Sequence, residues 1–216
     1  MTFSRVLVLA PHTDDGEFGC GGTIARLVSQ GAEVAYVALS TAEESIPTGM
    51  DPETTLREVR EATHSLGIPE DHLFVHRFPV RKFPEVRQEI LQIFIDLARD
   101  YAPDCVFLPS TSDTHQDHQV VAHEGFRAFK RTTMFGYEVP WNNLTFTTNA
   151  FFFLEPHHVA SKIEAVQCYI SQLGRSYVDE GFIRALARTR GVQIGAEYAE
   201  AFEAIRWVMP DQGQRR

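Results

Sequence analysis

The sequence predicts an α/β protein, a Rossmann-like three-layer sandwich around a mostly parallel sheet. Three observations carry this. Apolar runs such as "RVLVLA" (5–10) and "EVAYVALS" (33–40) are continuous rather than alternating, the pattern of strands covered on both faces. They alternate with helix-spaced stretches, and a strand–helix–strand rhythm implies parallel neighbours joined by right-handed crossovers. Two of the runs pass straight into polar, titratable stretches, as strands do at the carboxyl edge of an open sheet, where ligands bind.

Taken in order, "RVLVLA" is the first buried strand. Four glycines between residues 16 and 22 read as a loop. "GGTIARLVSQGA" then reads as a helix, with Ile24, Leu27 and Val28 on one face and Gly31 as its stop. "EVAYVALS" is strand two, followed by a loop from Thr41 to Met50. Asp51-Pro52 opens a helix that runs to Leu66 and stops at Gly67. "HLFVHRF" is strand three. In "PEVRQEILQIFIDLARDY", Val86, Ile90, Ile93, Phe94 and Leu97 recur at helical spacing. "DCVFLPS" is strand four, followed by a loop and a helix. Beyond Met134, "MFGYEVPW" and "TFTTNAFFFL" read as further strands, and "PHHVASKIEAVQCYISQL" and "DEGFIRALARTRG" as helices. Residues 1–216 are expected to form a single domain, with a Rossmann-like core at 1–133, an elaboration at 134–208 and a terminal tail, "PDQGQRR".

Composition narrows the function. The 216 residues carry a net charge of −9, which argues against nucleic-acid binding. Cys20, Cys105 and Cys168 show no paired spacing, so a reducing, cytoplasmic setting is expected. No apolar stretch reaches the length of a membrane span, and no membrane partner is expected. Homo-oligomerisation is left open.

The chemistry concentrates in two places. "PHTDDGEFGCGG" places His12, Asp14 and Asp15 just past strand one, and "STSDTHQDHQ" places His115, Asp117 and His118 just past strand four. Adjacent carboxylates repel each other and are costly to desolvate, so a positive group is expected beside them. Either cluster alone reads as a polar loop, the second as the first turn of a helix with Asp113 as N-cap. Both at one sheet edge would form a pocket of imidazole and carboxylate donors, which suits zinc or another divalent transition metal with a position open for water. The glycines of "GEFGCGG" do not match a dinucleotide fingerprint.

These motifs resemble those of the PIG-L/LmbE-like family of zinc-dependent N-deacetylases, whose signatures are an HPDDE-type motif with a following glycine pair and a later HxDH motif. "LREVREATHSLGI", "KIEAVQCYISQ" and "GAEYAEAF" are similar to further family segments. Thr13 and Gln116 replace prolines common in the family. Gly16 stands where many members have glutamate, with Glu17 next, a "DDxE" form resembling the bacillithiol-pathway branch. By position, the resemblance implies zinc on His12, Asp15 and His118. It implies Asp14 as general base, His115 as acid or oxyanion group, and Asp117 as the residue tuning His115.

The residue pattern agrees with parts of this. His115 and His118 share a helix face at i and i+3. Asp14 and Asp15 would point opposite ways in an extended segment. Arg57, Trp141 and Asn142 are candidate substrate contacts, with Tyr137 and Asn143 nearby in sequence. The expected function is removal of an N-acetyl group from an N-acetylglucosamine-type conjugate, a small-molecule amino sugar. The alternatives are a metal-dependent amidase or esterase on a non-sugar substrate, or a non-catalytic nucleotide- or sugar-binding protein.

Overall fold

β1 (Arg5–His12) and β4 (Cys105–Pro109) are hydrogen-bonded neighbours at the middle of a seven-stranded sheet in the computed structural model, which describes residues 3–209. The strand order is β3-β2-β1-β4-β5-β7-β6, with β2 (Glu33–Ser40), β3 (Leu73–Val75), β5 (Thr133–Tyr137), β6 (Ala150–Leu154) and β7 (Tyr198–Arg206). The first five strands across the sheet are parallel, and β7 is antiparallel to both β5 and β6. The chain leaves β1 toward β2 and β3, then returns to the other side as β4. The carboxyl ends of β1 and β4 therefore flank the point where strand order reverses, the place where open α/β sheets bind ligands.

Helices cover both faces. α1 (Asp15–Ser29), α2 (Thr54–Ser65) and α5 (Pro156–Gln167) pack on one side, where Val6, Val8, Tyr36, Ile24, Val59 and Ala165 share a buried cluster. α3 (Phe83–Asp100) and α4 (Gln116–Ala128) cover the other, with Leu7, Leu9, Ile90, Phe94 and Val121. Alternate residues of β1 thus face opposite layers, which is why "RVLVLA" is apolar throughout. α6 (Glu180–Val192) packs with α5 and the start of α1 through Phe18, Ile163, Ile183 and Ala187.

Three sequence expectations change here. The glycine-bearing stretch is helix rather than loop, because α1 begins at Asp15. Its glycines permit close approach: a Cβ on Gly16 would sit 2.5 Å from the Tyr36 ring, and one on Gly19 would overlap the Tyr137 ring. The helix kinks at Cys20, and the carboxylate of Glu200 in β7 accepts from Gly22 N at 3.1 Å and Thr23 N at 2.7 Å. Lys162 neutralises that buried carboxylate at 2.7 Å and caps the Phe18 carbonyl. β7 is a strand that the sequence pattern does not announce; its alanines and glutamates have poor strand propensity, and only flanking partners make it one. β3 is shorter than "HLFVHRF" suggests, because only Tyr36–Ala38 of β2 pair with it. The expected tail, 210–216, lies outside the described residues.

Candidate active site and metal centre

His12 is the last residue of β1, and the chain then turns through Thr13 and Asp14 into α1. Asp14 is the N-cap of α1 with helical backbone angles, so Asp14 and Asp15 are not in an extended segment as the sequence suggests. They are separated instead by the helical rotation. Asp15 turns back, and its Oδ2 accepts from His12 N at 2.8 Å. After β4, the loop Ser110–Thr114 leads to His115, which is itself the N-cap of α4. Asp113 is not the cap. Its carboxylate accepts from His115 N at 2.8 Å and holds His118 Nδ1 at 2.8 Å.

Three donor atoms converge. Asp15 Oδ2 lies 3.0 Å from His12 Nδ1 and 3.2 Å from His118 Nε2, and the two nitrogens are 3.4 Å apart. Donors around a tetrahedral ion with bonds of about 2.0–2.1 Å stand about 3.4 Å apart, so this triangle has the right size and donor chemistry for zinc or a similar cation. His115 joins from the side, since one nitrogen of each of the three histidines lies within 4.8 Å of the others.

Each inward histidine is fixed from behind by a carboxylate. His12 Nε2 meets Asp117 Oδ2 at 3.0 Å, and His118 Nδ1 meets Asp113. That pairing sets the tautomer of the neutral imidazole, in which the inward nitrogen has a lone pair for a cation. Asp117 is itself held by Arg81 N at 2.5 Å, from the loop that precedes α3, and by Phe83 N at 3.2 Å, at the first residue of that helix. Its carboxylate is therefore the partner of His12, and only its backbone N–H reaches His115, donating to Nδ1 at 3.2 Å. Sequence reasoning missed Asp113 as an orienting group. The available signal was its placement five residues before His118.

We expect Asp113→Asn and Asp117→Asn each to weaken metal affinity by about 10–100-fold, since loss of an orienting carboxylate typically costs that much. Chelator competition on the purified variants measures it; unchanged affinity would mean that the carboxylates do not support the donors.

The electrostatics follow from this crowding. Burial alone would lower the pKa of His12, but Asp15 and Asp117 overcome it and raise it to about 9. Burial is likewise outweighed at His118 by Asp15 and Asp113, giving about 10. Burial would raise Asp15, yet His118 and His12 hold it well below the usual carboxylate range. Asp14 is pushed up to about 6 by burial and by the charge on Asp15. Burial, together with the neighbouring His118 and His12, lowers His115. Because His115 Nδ1 accepts a backbone N–H, its neutral tautomer carries the proton on Nε2 and can donate it.

Beneath Asp14 lies a buried network. The hydroxyls of Tyr36 and Tyr169 contact the Thr13 carbonyl at 2.9 and 2.6 Å, and both also contact the carboxyl of Glu17. Burial raises Glu17 to about 8. The two phenols bring two protons to these contacts and a neutral Glu17 adds a third, and the network holds the turn that carries Asp14.

The substrate candidates separate. Trp141 is exposed and stacks on Tyr177 with ring centroids 4.1 Å apart. The backbone carbonyl of Asn142 accepts from Thr114 N at 3.1 Å and Thr114 Oγ1 at 2.7 Å, tying this loop to the His115 loop. Asn143 Oδ1 accepts from Val139 N and shapes the turn. Tyr137 is a core residue whose hydroxyl donates to the Leu9 carbonyl at 2.9 Å. Arg57 is exposed and bonded to Asp51 at 2.9 Å, with no hydrogen bond to the donor cluster.

Comparison with known proteins identifies the family of the chain. Residues 7–129, more than half of the chain, match the GlcNAc-PI de-N-acetylase family, PIG-L. Diacetylchitobiose deacetylase of Thermococcus kodakarensis is 26% identical over 227 residues, covering 93% of this chain and 83% of that protein. Probable N-acetyl-alpha-D-glucosaminyl L-malate deacetylase 2 of Bacillus anthracis is 25% identical over 192 residues, covering 78% of this chain and 81% of its own. Among solved structures, a conserved protein of Thermus thermophilus superposes with a TM-score of 0.77 at 28% identity, covering 98% of this chain and 99% of that one.

Proposed function

Because the chain belongs to the PIG-L family of de-N-acetylases, we propose that it is a metal-dependent hydrolase acting on an N-acetylglucosamine-type sugar conjugate, releasing acetate and a free amine. The observation that carries this is the donor triangle of His12, Asp15 and His118, with both histidines oriented by carboxylates and the Asp14 carboxyl beside it. The relatives named for diacetylchitobiose and for N-acetyl-alpha-D-glucosaminyl L-malate support a sugar-borne acetamide.

His12, Asp15 and His118 would hold the ion, with zinc the cation their donor set suits. When bound, a divalent cation there makes water acidic near neutral pH and polarises an amide carbonyl. Asp14 takes the proton of the attacking water. Its raised pKa, to about 6, suits a group that must accept a proton and give it back. His115 donates its Nε2–H to the carbonyl oxygen as negative charge develops there. As the C–N bond breaks, Asp14 returns the proton to the departing nitrogen, leaving acetate and the amine.

Acetate release by the zinc-loaded protein is the test, with N,N′-diacetylchitobiose and N-acetylglucosaminyl conjugates set against non-sugar amides and esters. Acetate from the sugars, stopped by chelation and restored by a divalent ion, is the expected result. Turnover of only the non-sugar compounds would replace this reading with the amidase or esterase alternative.

A further inference from the structure

The segment joining α5 to α6 carries the motif "YISQ", which the reaction above does not use. The structure gives each of its polar residues a contact. Tyr169 donates to the Thr13 carbonyl under the Asp14 turn. Ser171 is buried, and its N and Oγ donate to the two oxygens of the buried Glu58 of α2 at 2.7 and 2.6 Å. Gln172 Nε2 reaches Ser171 Oγ, and its Oε1 accepts from Tyr177 at 3.3 Å. At the far end Val178 is buried in the cluster formed by α5 and α6. The segment is a strap fastened on both sides of an exposed bend at Leu173–Ser176.

What the strap presents is Tyr177. Its hydroxyl is fully engaged, accepting from Arg175 Nη1 at 2.7 Å and donating to Gln172, and the Arg175 guanidinium lies over its ring, 5.8 Å from the centroid, so Tyr177 acts as a backing for its neighbour. The ring stacks on Trp141 at an interplanar angle of 17°, and both rings meet the edge of Phe18 at 5.3 Å. Phe18 lies one helical turn beyond Asp14, whose carbonyl accepts its N–H at 3.1 Å. Burial raises the Tyr177 phenol against the opposing pull of Arg175.

Two loops from different parts of the chain therefore build one aromatic wall against Phe18, one helical turn from Asp14. We propose that Trp141, exposed and backed by the Tyr177 ring, forms a specificity-determining wall that takes the apolar C–H face of a hexopyranose. A sugar ring matches this wall because its C–H groups pack on aromatic faces while its hydroxyls stay in water. The strap holds Tyr177 in place behind Trp141, so the wall favours a pyranose over an acyclic amide. This rests on the deacetylase reading and adds the group that recognises the sugar.

The test separates the two. In the Trp207→Phe background, Trp141 is the one remaining tryptophan of the chain. Titration with chitobiose, which lacks the acetyl groups, should change its emission saturably, whether or not the protein hydrolyses amides. With N,N′-diacetylchitobiose as substrate, Tyr177→Ala should raise KM about tenfold with kcat within about threefold of wild type, and Tyr177→Phe should restore KM. Melting temperature and metal content of each variant establish that the fold and the donor triangle persist. Should Tyr177→Ala not fold, the emission titration and Tyr177→Phe decide. Unchanged Trp141 emission, an unchanged KM in Tyr177→Ala, or a fall in kcat at constant KM would each overturn the wall. A wild type that binds chitobiose but releases no acetate from any N-acetyl sugar would overturn the deacetylase reading and leave the wall standing.

Discussion

Asp14→Asn is expected to keep the metal and lose about 10²–10⁴-fold in kcat, the range that a positioned general base contributes. The reasoning is geometric. Asp15 is fully committed, accepting from His12 N and closing the donor triangle with both histidines. Among the described residues, no side chain bonds the Asp14 carboxyl, which leaves it to water and substrate. The amide of asparagine has nearly the same shape, so the turn held by Tyr36 and Tyr169 should survive, and only proton acceptance is removed. Metal analysis alongside steady-state kinetics checks both halves. The acidic limb of the wild-type profile should fall away as Asp14 protonates, and this limb should be absent from the residual activity of the variant. Near wild-type turnover in Asp14→Asn would assign the base elsewhere.

His118→Ala is expected to lose the metal and, with it, at least about 10³-fold of the activity, because two donors do not make a tetrahedral site. The variant also leaves Asp113 buried without its imidazole partner. The metal-free wild type should show a matching pH dependence. His12 and His118 are raised from 6.5 to about 9 and about 10 by their carboxylates. The folded state therefore holds protons that the unfolded state has released between those values. Their contribution to stability is complete below pH 6.5 and is lost as pH rises through about 9–10. A cation must displace the same protons. Metal uptake at pH 7 should release about two protons per ion, and affinity should climb with pH until both histidines are neutral. Calorimetry in buffers of differing ionisation enthalpy counts the protons. In metal-free His118→Ala, the alkaline loss of stability should shrink to the part due to His12.

Much of this site is legible in the sequence because its chemistry is local. His12, Asp14 and Asp15 lie within four residues, as do His115, Asp117 and His118, and each group follows a strand that burial forces to be apolar. What is not legible is partnership over distance. Asp117 pairs with His12, 105 positions away, rather than with its neighbour His115. Asp113 turns from an apparent helix cap into the orienter of His118. Tyr177 reaches Trp141 only because Glu58 and the Asp14 turn fasten the strap between them.

The sequence by itself determines the fold class and the identity of the donor clusters. Continuous apolar runs can be satisfied only between two helical layers, and adjacent carboxylates at strand ends require positive charge nearby. The tertiary structure decides which imidazole each carboxylate orients, where the glycine-rich segment becomes helix, and what forms the wall of the pocket. Those outcomes depend on side chains brought together by β1 and β4 pairing at the centre of the sheet and by the strap closing over α1. Spacing along the chain carries no information about contacts of that kind.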